Sequence, residues 1–496
     1  MSRQRTTLGM RLLALTLAIS MAAAASLAAG CARFSAQASV TRALKSHRTA
    51  LATISGATIA AEIEELSSPA YAGRQAGSPG GWRAADYIAG RFAAMGLQPL
   101  VGDSFFQEFP ITYTHPANAP QAKVFDANGR MIGRLRYGQD VAYSLWSDSV
   151  DVRKAPVVFV GSWDRISAGD FSDKVLLALR PRDATEASLS AGLEQARAAG
   201  AAALLAADFP EQTLTAYWDV DSYLPDIGML GLSTAAANLL LQNTGRDVAA
   251  WSAELAATAA AGDEFAPVGT GLTIDLSWSI DNDDQRTARN VVGVIPGTGG
   301  LSGGRSLLLT AHYDHLGALP DGPYWPGAWD NASGVAVMLS VAQMLAADKP
   351  DLNIIVAAWD AEERGLVGSA RFAAQLPVPA DSLVGVINLD CVGSRLDFSL
   401  ERTRAGALTQ RLRSAGARYD IDMVESAVKP WSDAASFQSI EGLEAIQIFD
   451  GGNPYDVPFL HDPADTIANL RTDALERIAR TVALAILAAS DGGAAK

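Results

Sequence analysis

Cysteine and histidine are both scarce in this sequence. Its 496 residues include two cysteines, Cys31 and Cys391, and five histidines. Two cysteines would allow one disulfide at most, and only in an oxidising compartment. Hydrophobic residues nevertheless make up 49% of the chain, which is ample material for sizeable cores. At this length, two or three folding units are expected.

An excess of positive charge is also missing. The chain carries 39 lysines and arginines against 54 acidic residues, a formal net charge of -15, and it has no basic run. Nucleic acids and anionic membrane surfaces are recognised through clustered lysine and arginine, so the composition excludes both as expected partners. Beyond the N-terminal segment, the sequence also lacks an apolar run long enough to cross a membrane.

The N-terminal segment has the layout of a secretory signal. Arg3, Arg5 and Arg11 precede or border an apolar run, Leu12–Ala25, and small residues follow that run. A positive end, an apolar middle and a small-residue cleavage region are the three parts of such signals. Because the apolar run is too short for a convincing membrane-spanning helix, we expect it to direct export.

The segment ends in the sequence SLAAGC, which resembles the lipobox of bacterial lipoproteins. On this interpretation residues 1–30 are removed, Cys31 becomes the lipidated first residue, and residues 31–53 form a tether. The expected location is the periplasmic side of the envelope or the cell surface, with membrane contact only through the anchor at Cys31. The alternative is an ordinary cleaved signal followed by an incidental cysteine.

The pattern of apolar residues divides the rest of the chain. Residues 54–111 favour two helices around a glycine-rich turn. In residues 112–266, short β-like runs alternate with turns, and acids do not cluster at strand ends. This block is predicted to be a non-catalytic, β-rich insert. Residues 267–492 alternate strands with helices, which is typical of an α/β sheet. The catalytic domain is therefore predicted to combine residues 54–111 and 267–492.

Three apolar runs in the last third of the chain end in residue types that bind metals. Near-continuous apolar runs of this length are typical of buried parallel strands. In open α/β sheets, ligands bind beyond the carboxyl ends of such strands, so we expect these residues to meet at one edge of one sheet. They are His312 and Asp314 after residues 306–311, Glu362 and Glu363 after residues 353–359, and Asp390 after residues 383–389.

Two more segments complete this candidate metal centre. Asp330 and Asn331 open a helix that runs to Ala347, and His461 lies in a turn-rich loop before the last helix. Imidazole and carboxylate groups are the donors that suit zinc. Cobalt or manganese would accept the same donors, because ligand type discriminates poorly among these metals.

The spacing of these residues also indicates a division of roles. His312 and Asp314 lie two apart in an extended segment, so both point to one side, where the carboxylate can fix the tautomer of the histidine. Adjacent Glu362 and Glu363 can serve as a base and a ligand. Two metals that share a carboxylate and a water would polarise a carbonyl and acidify the water, and a nearby carboxylate would move the proton.

Five motifs make the chain resemble the M28 family of zinc peptidases, which includes leucine-type aminopeptidases and relatives of glutamate carboxypeptidase. They are His312-x-Asp314, Asp330-Asn331-x-Ser333-Gly334, Glu362-Glu363-x-Gly365-x-x-Gly368-Ser369, Asn388-Leu389-Asp390 and His461-x-x-x-Asp465-Thr466. The glycine-rich turn that starts at Gly73-Arg74 resembles the N-terminal segment of the family, and residues 112–266 resemble a protease-associated (PA) domain insert. The resemblance implies a zinc exopeptidase fold, an α/β fold with a mixed, largely parallel central sheet flanked by helices and an inserted β-rich PA-like domain.

The resemblance also implies residue roles. Asp330 would bridge two zinc ions, Glu362 would be the general acid/base, and Asp314 would be the partner of His312. A cis peptide bond would follow Asp330. The other implied ligands are His312 and Asp390 for one ion and Glu363 and His461 for the other.

The implied activity is hydrolysis of N-terminal residues from peptides by metal-activated water. A carboxypeptidase or dipeptidase is the alternative enzyme, because relatives with PA-like inserts include enzymes that release acidic C-terminal residues. A surface module that binds metal without catalysis is the alternative from another class, and the presence of Glu362 argues against it.

A few nearby positions need separate expectations. Ala434 departs from the family pattern, since many members have histidine there, which leaves local substrate or loop contacts open. We expect a supporting or structural role for His315 and a packing role for Cys391. Whether Tyr455 steadies an oxyanion is left open by its spacing. The side-chain preference is expected to depend on loops that carry Trp325, Trp431 and Tyr455.

Overall fold

The computed structural model describes residues 33–143, 148–167, 169–181, 186–207, 227–301, 304–320, 323–451 and 457–491. The predicted signal, Cys31 and Tyr455 lie outside these residues. The α-helices are α1 (33–46), α2 (Arg48–Leu51), α3 (Gly56–Leu66), α4 (Pro79–Ala94), α5 (Glu186–Ala198), α6 (Thr234–Leu241), α7 (Val248–Ala261), α8 (Ser333–Ala347), α9 (Val367–Ala374), α10 (Ala407–Gly416) and α11 (Thr472–Ser490).

The strands fall into two sheets. They are β1 (Gln98–Pro99), β2 (Phe106–Pro116), β3 (Gln121–Phe125), β4 (Met131–Leu135), β5 (Val141–Tyr143), β6 (Val150–Ser162), β7 (Val175–Leu179), β8 (Ala203–Ala207), β9 (Gly228–Leu232), β10 (Val268–Trp278), β11 (Ile280–Ile295), β12 (Ser306–His312), β13 (Asn353–Trp359), β14 (Leu383–Leu389), β15 (Asp397–Arg402), β16 (Asp422–Ala427) and β17 (Ala445–Asp450).

The first sheet confirms the predicted mixed α/β architecture. Nine of the described strands form it in the order β1-β11-β13-β12-β14-β17-β15-β16, with β2 paired to β11. The four central strands β13, β12, β14 and β17 are parallel to one another. Strands β11 and β15 pair with this centre in the antiparallel direction. The carboxyl ends of the central strands therefore share one edge.

The central strands are apolar throughout because helices cover both of their faces. On one face, Leu307 and Leu309 of β12 belong to a large cluster with side chains of α3, α4, α8 and α11. On the other face, Leu308 packs in a cluster with Phe372 of α9 and Phe437. This double burial fixes the strand ends that carry the predicted site. Among the described helices, none combines the length and the apolarity needed to cross a membrane.

The second sheet lies in the region predicted as an insert. Eight of the described strands form it in the order β4-β3-β10-β6-β7-β8-β9-β5. It extends past the predicted boundary at residue 266, because β10 pairs with both β3 and β6. Ser279 alone separates β10 from β11, so the sequence has no break where the chain passes from one sheet to the other.

The insert packs against the loop that leads to Asp330. Leu316, Leu319 and Trp325 lie between β12 and α8 in the chain, yet they belong to the apolar cluster built by the second sheet. The position of this loop therefore depends on the insert as well as on the catalytic sheet.

Candidate metal centre and active site

The parallel strands bring three of the predicted segments together. His312 is the last residue of β12, Glu362 and Glu363 follow β13, and Asp390 follows β14. Strand β12 lies between β13 and β14, with all three parallel, so these side chains meet at one sheet edge, as the sequence predicts. The side chains are largely buried, from 1% exposed for His312 to 13% for Glu362.

A buried row of polar side chains supports this edge from within the sheet. The hydroxyl of Thr310 donates to Oδ1 of Asn388 at 2.7 Å, and Nδ2 of Asn388 donates to Oε1 of Gln447 at 3.1 Å. The hydroxyl of Ser432 also donates to that oxygen of Gln447. Thr310 and Asn388 precede the donors His312 and Asp390 by two residues each, so the row ties the strands together just below the donors.

The first donor group forms around His312. Its Nε2 lies 3.2 Å from Oδ1 of Asp390 and 3.4 Å from Oδ1 of Asp330. Oε2 of Glu362 is farther away, at 3.9 Å from the same nitrogen. The two nearer carboxylates thus group with His312, and Glu362 stands back from them.

The second donor group forms around His461. Its Nε2 lies 3.2 Å from Oδ2 of Asp330 and 3.2 Å from Oε2 of Glu363. Asp330 therefore presents one oxygen to each histidine. This is the position expected of a carboxylate shared between two metal ions.

The spacing of these donors fits zinc. Zinc bonds of about 2.0–2.1 Å in a tetrahedron place neighbouring donors about 3.3 Å apart. The distances of 3.2 and 3.4 Å around His312, and of 3.2 Å around His461, match that edge length. The five predicted ligands are thus arranged as two zinc-sized donor sets that share Asp330.

The two adjacent glutamates differ in their electrostatic surroundings. Burial raises the pKa of Glu362 well above its ordinary value, although the nearby His312 acts in the opposite direction. Burial acts the same way on Glu363, but His461 and His315 outweigh it and hold its pKa well below the ordinary value. A carboxylate that readily takes a proton beside one that stays ionised suits a base and a ligand, respectively.

Asp314 holds the loop that carries the two glutamates. Its carboxylate accepts hydrogen bonds from the main-chain N–H groups of Glu362 at 3.0 Å and Glu363 at 3.3 Å. It also lies beside His312, with 3.8 Å between Oδ1 and Nδ1. That distance exceeds a hydrogen bond, so the structure brings Asp314 next to its predicted partner without bonding the two.

Asp465 and Asn331 hold the main chain around Asp330. The carboxylate of Asp465 accepts from the N–H groups of Trp329 at 2.9 Å and Asp330 at 3.0 Å. The side chain of Asn331 donates to the carbonyl of Leu389 at 2.9 Å and so reaches the end of β14. The Asp330–Asn331 peptide bond is cis, as the family resemblance implies.

Arg74 supports the site, a role that was not predicted from the sequence. Its guanidinium is buried and donates to the carbonyl of Tyr313 at 2.8 Å. It also donates to the carbonyls of Pro326 and Gly327, at 2.7 and 2.8 Å. The side chain therefore joins the segment after His312 to the segment before Asp330. Its place in the glycine-rich turn is the one sequence signal that could have pointed to it.

The remaining predicted positions have different surroundings. Trp325 is buried, and its indole N–H donates to the carbonyl of His461 at 3.0 Å. It therefore supports the site from within the protein and does not line it. Trp431 is exposed. Cys391 packs with Trp329 in an apolar cluster, and burial raises the pKa of its thiol well above the ordinary value. Ala434 is buried in the cluster around Phe437.

A mixed α/β sheet thus presents histidine and carboxylate donors at the carboxyl ends of its parallel strands. Residues 290–486 match the model of peptidase family M28. The matched region contains every donor named above.

Two bacterial aminopeptidases are similar to this chain in sequence. The chain is 28% identical to aminopeptidase YwaD of Bacillus subtilis over 211 residues, which is 40% of this chain and 44% of that protein. It is 32% identical to an aminopeptidase of Pseudomonas aeruginosa over 191 residues, 33% of this chain and 35% of that protein. The matches thus span less than half the length of either relative.

Solved structures show the same fold. A zinc aminopeptidase from Bacillus subtilis superposes with a TM-score of 0.63 at 21% identity, covering 89% of this chain and 97% of that one. An aminopeptidase from an Aneurinibacillus species gives a TM-score of 0.61 at 21% identity, covering 88% and 94%.

We predict that Asp465→Asn weakens zinc binding. The substitution replaces one accepting oxygen by an amide that cannot accept, so one buried N–H of Trp329 or Asp330 loses its partner at a cost of about 1–3 kcal/mol. Changes that loosen the support of ligands lower metal affinity about 10- to 100-fold. Competition with a chelator measures the affinity. Asp473→Asn is the control, because Asp473 pairs with Arg471 on the surface. Equal affinities in the two variants would contradict this role for Asp465.

Proposed function

We propose that the protein is an exported aminopeptidase that holds two zinc ions and removes N-terminal residues from peptides. The observation that carries the proposal is the position of Asp330, whose two oxygens face the histidines of separate donor groups at 3.4 and 3.2 Å. His312 and Asp390 would hold one ion, and Glu363 and His461 the other. Bound zinc would act as a Lewis acid and lower the pKa of water.

Glu362 is the residue best placed to move protons. It stands 3.9 Å from Nε2 of His312, behind the nearer donors, and its side chain is partly exposed. From there its carboxylate can accept the proton of the attacking water and then donate it to the departing amine. Asp314 orients this step by fixing the main chain of Glu362.

The charge of the centre favours the amino end of a peptide. Six carboxylates lie around the two histidines. They are Asp314, Asp330, Glu362, Glu363, Asp390 and Asp433. Such a site attracts an ammonium group and repels a terminal carboxylate. The guanidinium of Arg74 is a buried cation beside these carboxylates, and it donates to main-chain carbonyls, so it is engaged there and does not serve as a partner for a terminal carboxylate. Both relatives described above are themselves aminopeptidases.

We predict that Glu362→Gln abolishes most activity and leaves zinc binding intact. The amide keeps the size of the side chain but cannot take a proton, so kcat on an aminoacyl anilide should fall about 10²- to 10⁴-fold. The zinc content of the purified protein, measured by elemental analysis, should stay at the wild-type value. Glu441→Gln, at an exposed position, is the control and should match wild type in both measurements.

Three outcomes would contradict the proposal. Full activity in Glu362→Gln, or wild-type activity that survives removal of zinc by a chelator, would overturn the mechanism. Turnover of N-blocked dipeptides with a free carboxylate, in place of aminoacyl anilides, would replace the aminopeptidase by a carboxypeptidase or dipeptidase.

We also propose that the protein is a lipoprotein anchored at Cys31. Support comes from the apolar run and the lipobox-like sequence that precede this residue. Residues 33–46 are helical, and Val40 and Ala43 of this helix are buried in the main core of the catalytic domain. A lipid on Cys31 would therefore hold that domain within a few residues of the membrane surface.

Cys31→Ser should release the protein from the membrane. With no thiol to acylate, the variant expressed in a bacterial host should move to the soluble fraction and take up no labelled fatty acid. Cys391→Ser is the control, since that thiol is buried. A wild-type protein without label, or a Cys31→Ser variant that still sediments with membranes, would contradict the anchor.

A further inference from the structure

His315 is a buried histidine beside the metal centre that is not one of the five donors. It follows His312 by three residues in the loop after β12, and its side chain is 0% exposed. Its Nδ1 lies 2.7 Å from Oε1 of Glu363 and 3.9 Å from Oδ2 of Asp330.

These distances separate a hydrogen bond from shared ligation. Two donors to one tetrahedral zinc lie about 3.3 Å apart, whereas 2.7 Å is the length of a charge-assisted hydrogen bond. Nδ1 of His315 therefore donates to Oε1 of Glu363. The other oxygen of Glu363, Oε2, faces His461 at 3.2 Å. Oε1 of Glu363 therefore accepts the hydrogen bond from His315, and Oε2 faces His461.

The surrounding main chain fixes the ring of His315. The main-chain N–H of His315 donates to the carbonyl of Arg74 at 3.3 Å. Gly327, at a φ of +55°, packs so closely that a Cβ there would lie 2.5 Å from Cδ2 of His315. The ring of His461 lies on another side, with 5.8 Å between centroids. The imidazole is therefore held in the orientation that bonds Glu363.

We propose that His315 is a positioning residue that holds the carboxylate of Glu363 in the orientation in which one of its oxygens faces His461. Without the bond from Nδ1, the carboxylate could rotate about its terminal torsion, and a buried charge would lose its donor. The inference rests on the proposed two-ion centre, and it assigns His315 to the ion bound by His461. The ion bound by His312 and Asp390 should depend on His315 much less.

The test compares substitutions that remove or keep the donor. His315→Ala removes it, whereas His315→Asn keeps an N–H close to the position of Nδ1. His47→Ala is the matched control, because Nδ1 of His47 also lies 2.7 Å from a carboxylate oxygen, that of Asp348, but on the surface. Zinc retained per chain is measured after dialysis against graded concentrations of a chelator, together with the melting temperature of the metal-free proteins.

We expect wild type to lose zinc in two steps. In His315→Ala the step of the ion bound by His461 should shift about 10- to 100-fold toward lower chelator concentration, as for other residues that orient ligands. The other step and the metal-free melting temperature should hardly change. His315→Asn should recover most of the shift, and His47→Ala should match wild type.

Several results would overturn the inference. Unchanged steps in His315→Ala would show that Glu363 needs no such support. Equal losses in His315→Ala and His315→Asn would show that the N–H is irrelevant. Loss of both ions with a lower metal-free melting temperature would assign His315 a general structural role. A wild type that binds one ion would overturn the proposed two-zinc centre as well, whereas the other results leave that centre standing.

Discussion

Two histidines from distant parts of the chain approach one buried carboxylate, and the rest of the centre is arranged around it. His312 ends a central strand and His461 lies in the loop before the last helix, yet each has its Nε2 within 3.4 Å of an oxygen of Asp330. A carboxylate shared between two metal ions would have to face both at once, which would leave little freedom in its position. The strand ends, the insert-packed loop and the C-terminal loop must all meet there.

Holding Asp330 takes support from several elements. Asp465 accepts from the N–H of Asp330, Asn331 reaches the end of β14, and Arg74 binds the carbonyls just before this segment. These contacts come from segments on both sides of the insert in the chain. The support is therefore a product of the tertiary fold and not of any one motif.

The centre gathers more negative charge than a protein interior tolerates without cations. Burial raises the pKa of Asp433 and of Asp465 to about 7, and it lowers the pKa of Arg74 to about 10. Unpaired buried charges cost several kcal/mol each. Divalent ions would offset this cost, so metal binding and the stability of the folded centre are linked.

The sequence was most informative where local pattern and chemistry coincide. The apolar runs before His312, Glu362 and Asp390 identify buried parallel strands, and parallel strands necessarily bring their carboxyl ends to one edge. His461 has no such local signal, since a single histidine in a turn-rich loop has many uses. Its position became predictable only through the resemblance to a known family.

Other features could not be predicted because they depend on distant contacts. Arg74 binds the carbonyl of Tyr313 across 239 residues of sequence, and no local pattern encodes that pairing. His315 bonds Glu363 on a neighbouring strand end. Strands β10 and β11 are adjacent in the chain but belong to different sheets, and no local pattern marks that change. Trp325 is predicted from the sequence to line the site. Its side chain is instead buried against the second sheet, where it supports the loop of His461.

Whether Asp330 is a ligand to both metal ions can be tested by the zinc stoichiometry of three variants. Equilibrium dialysis of Asp330→Ala, His312→Ala and His461→Ala against zinc would report how many ions each binds and how tightly. Each histidine variant should lose one ion and keep the other, whereas Asp330→Ala should bind both ions more weakly. Two zinc ions bound at wild-type affinity by Asp330→Ala would contradict the shared carboxylate and the two-metal centre built on it.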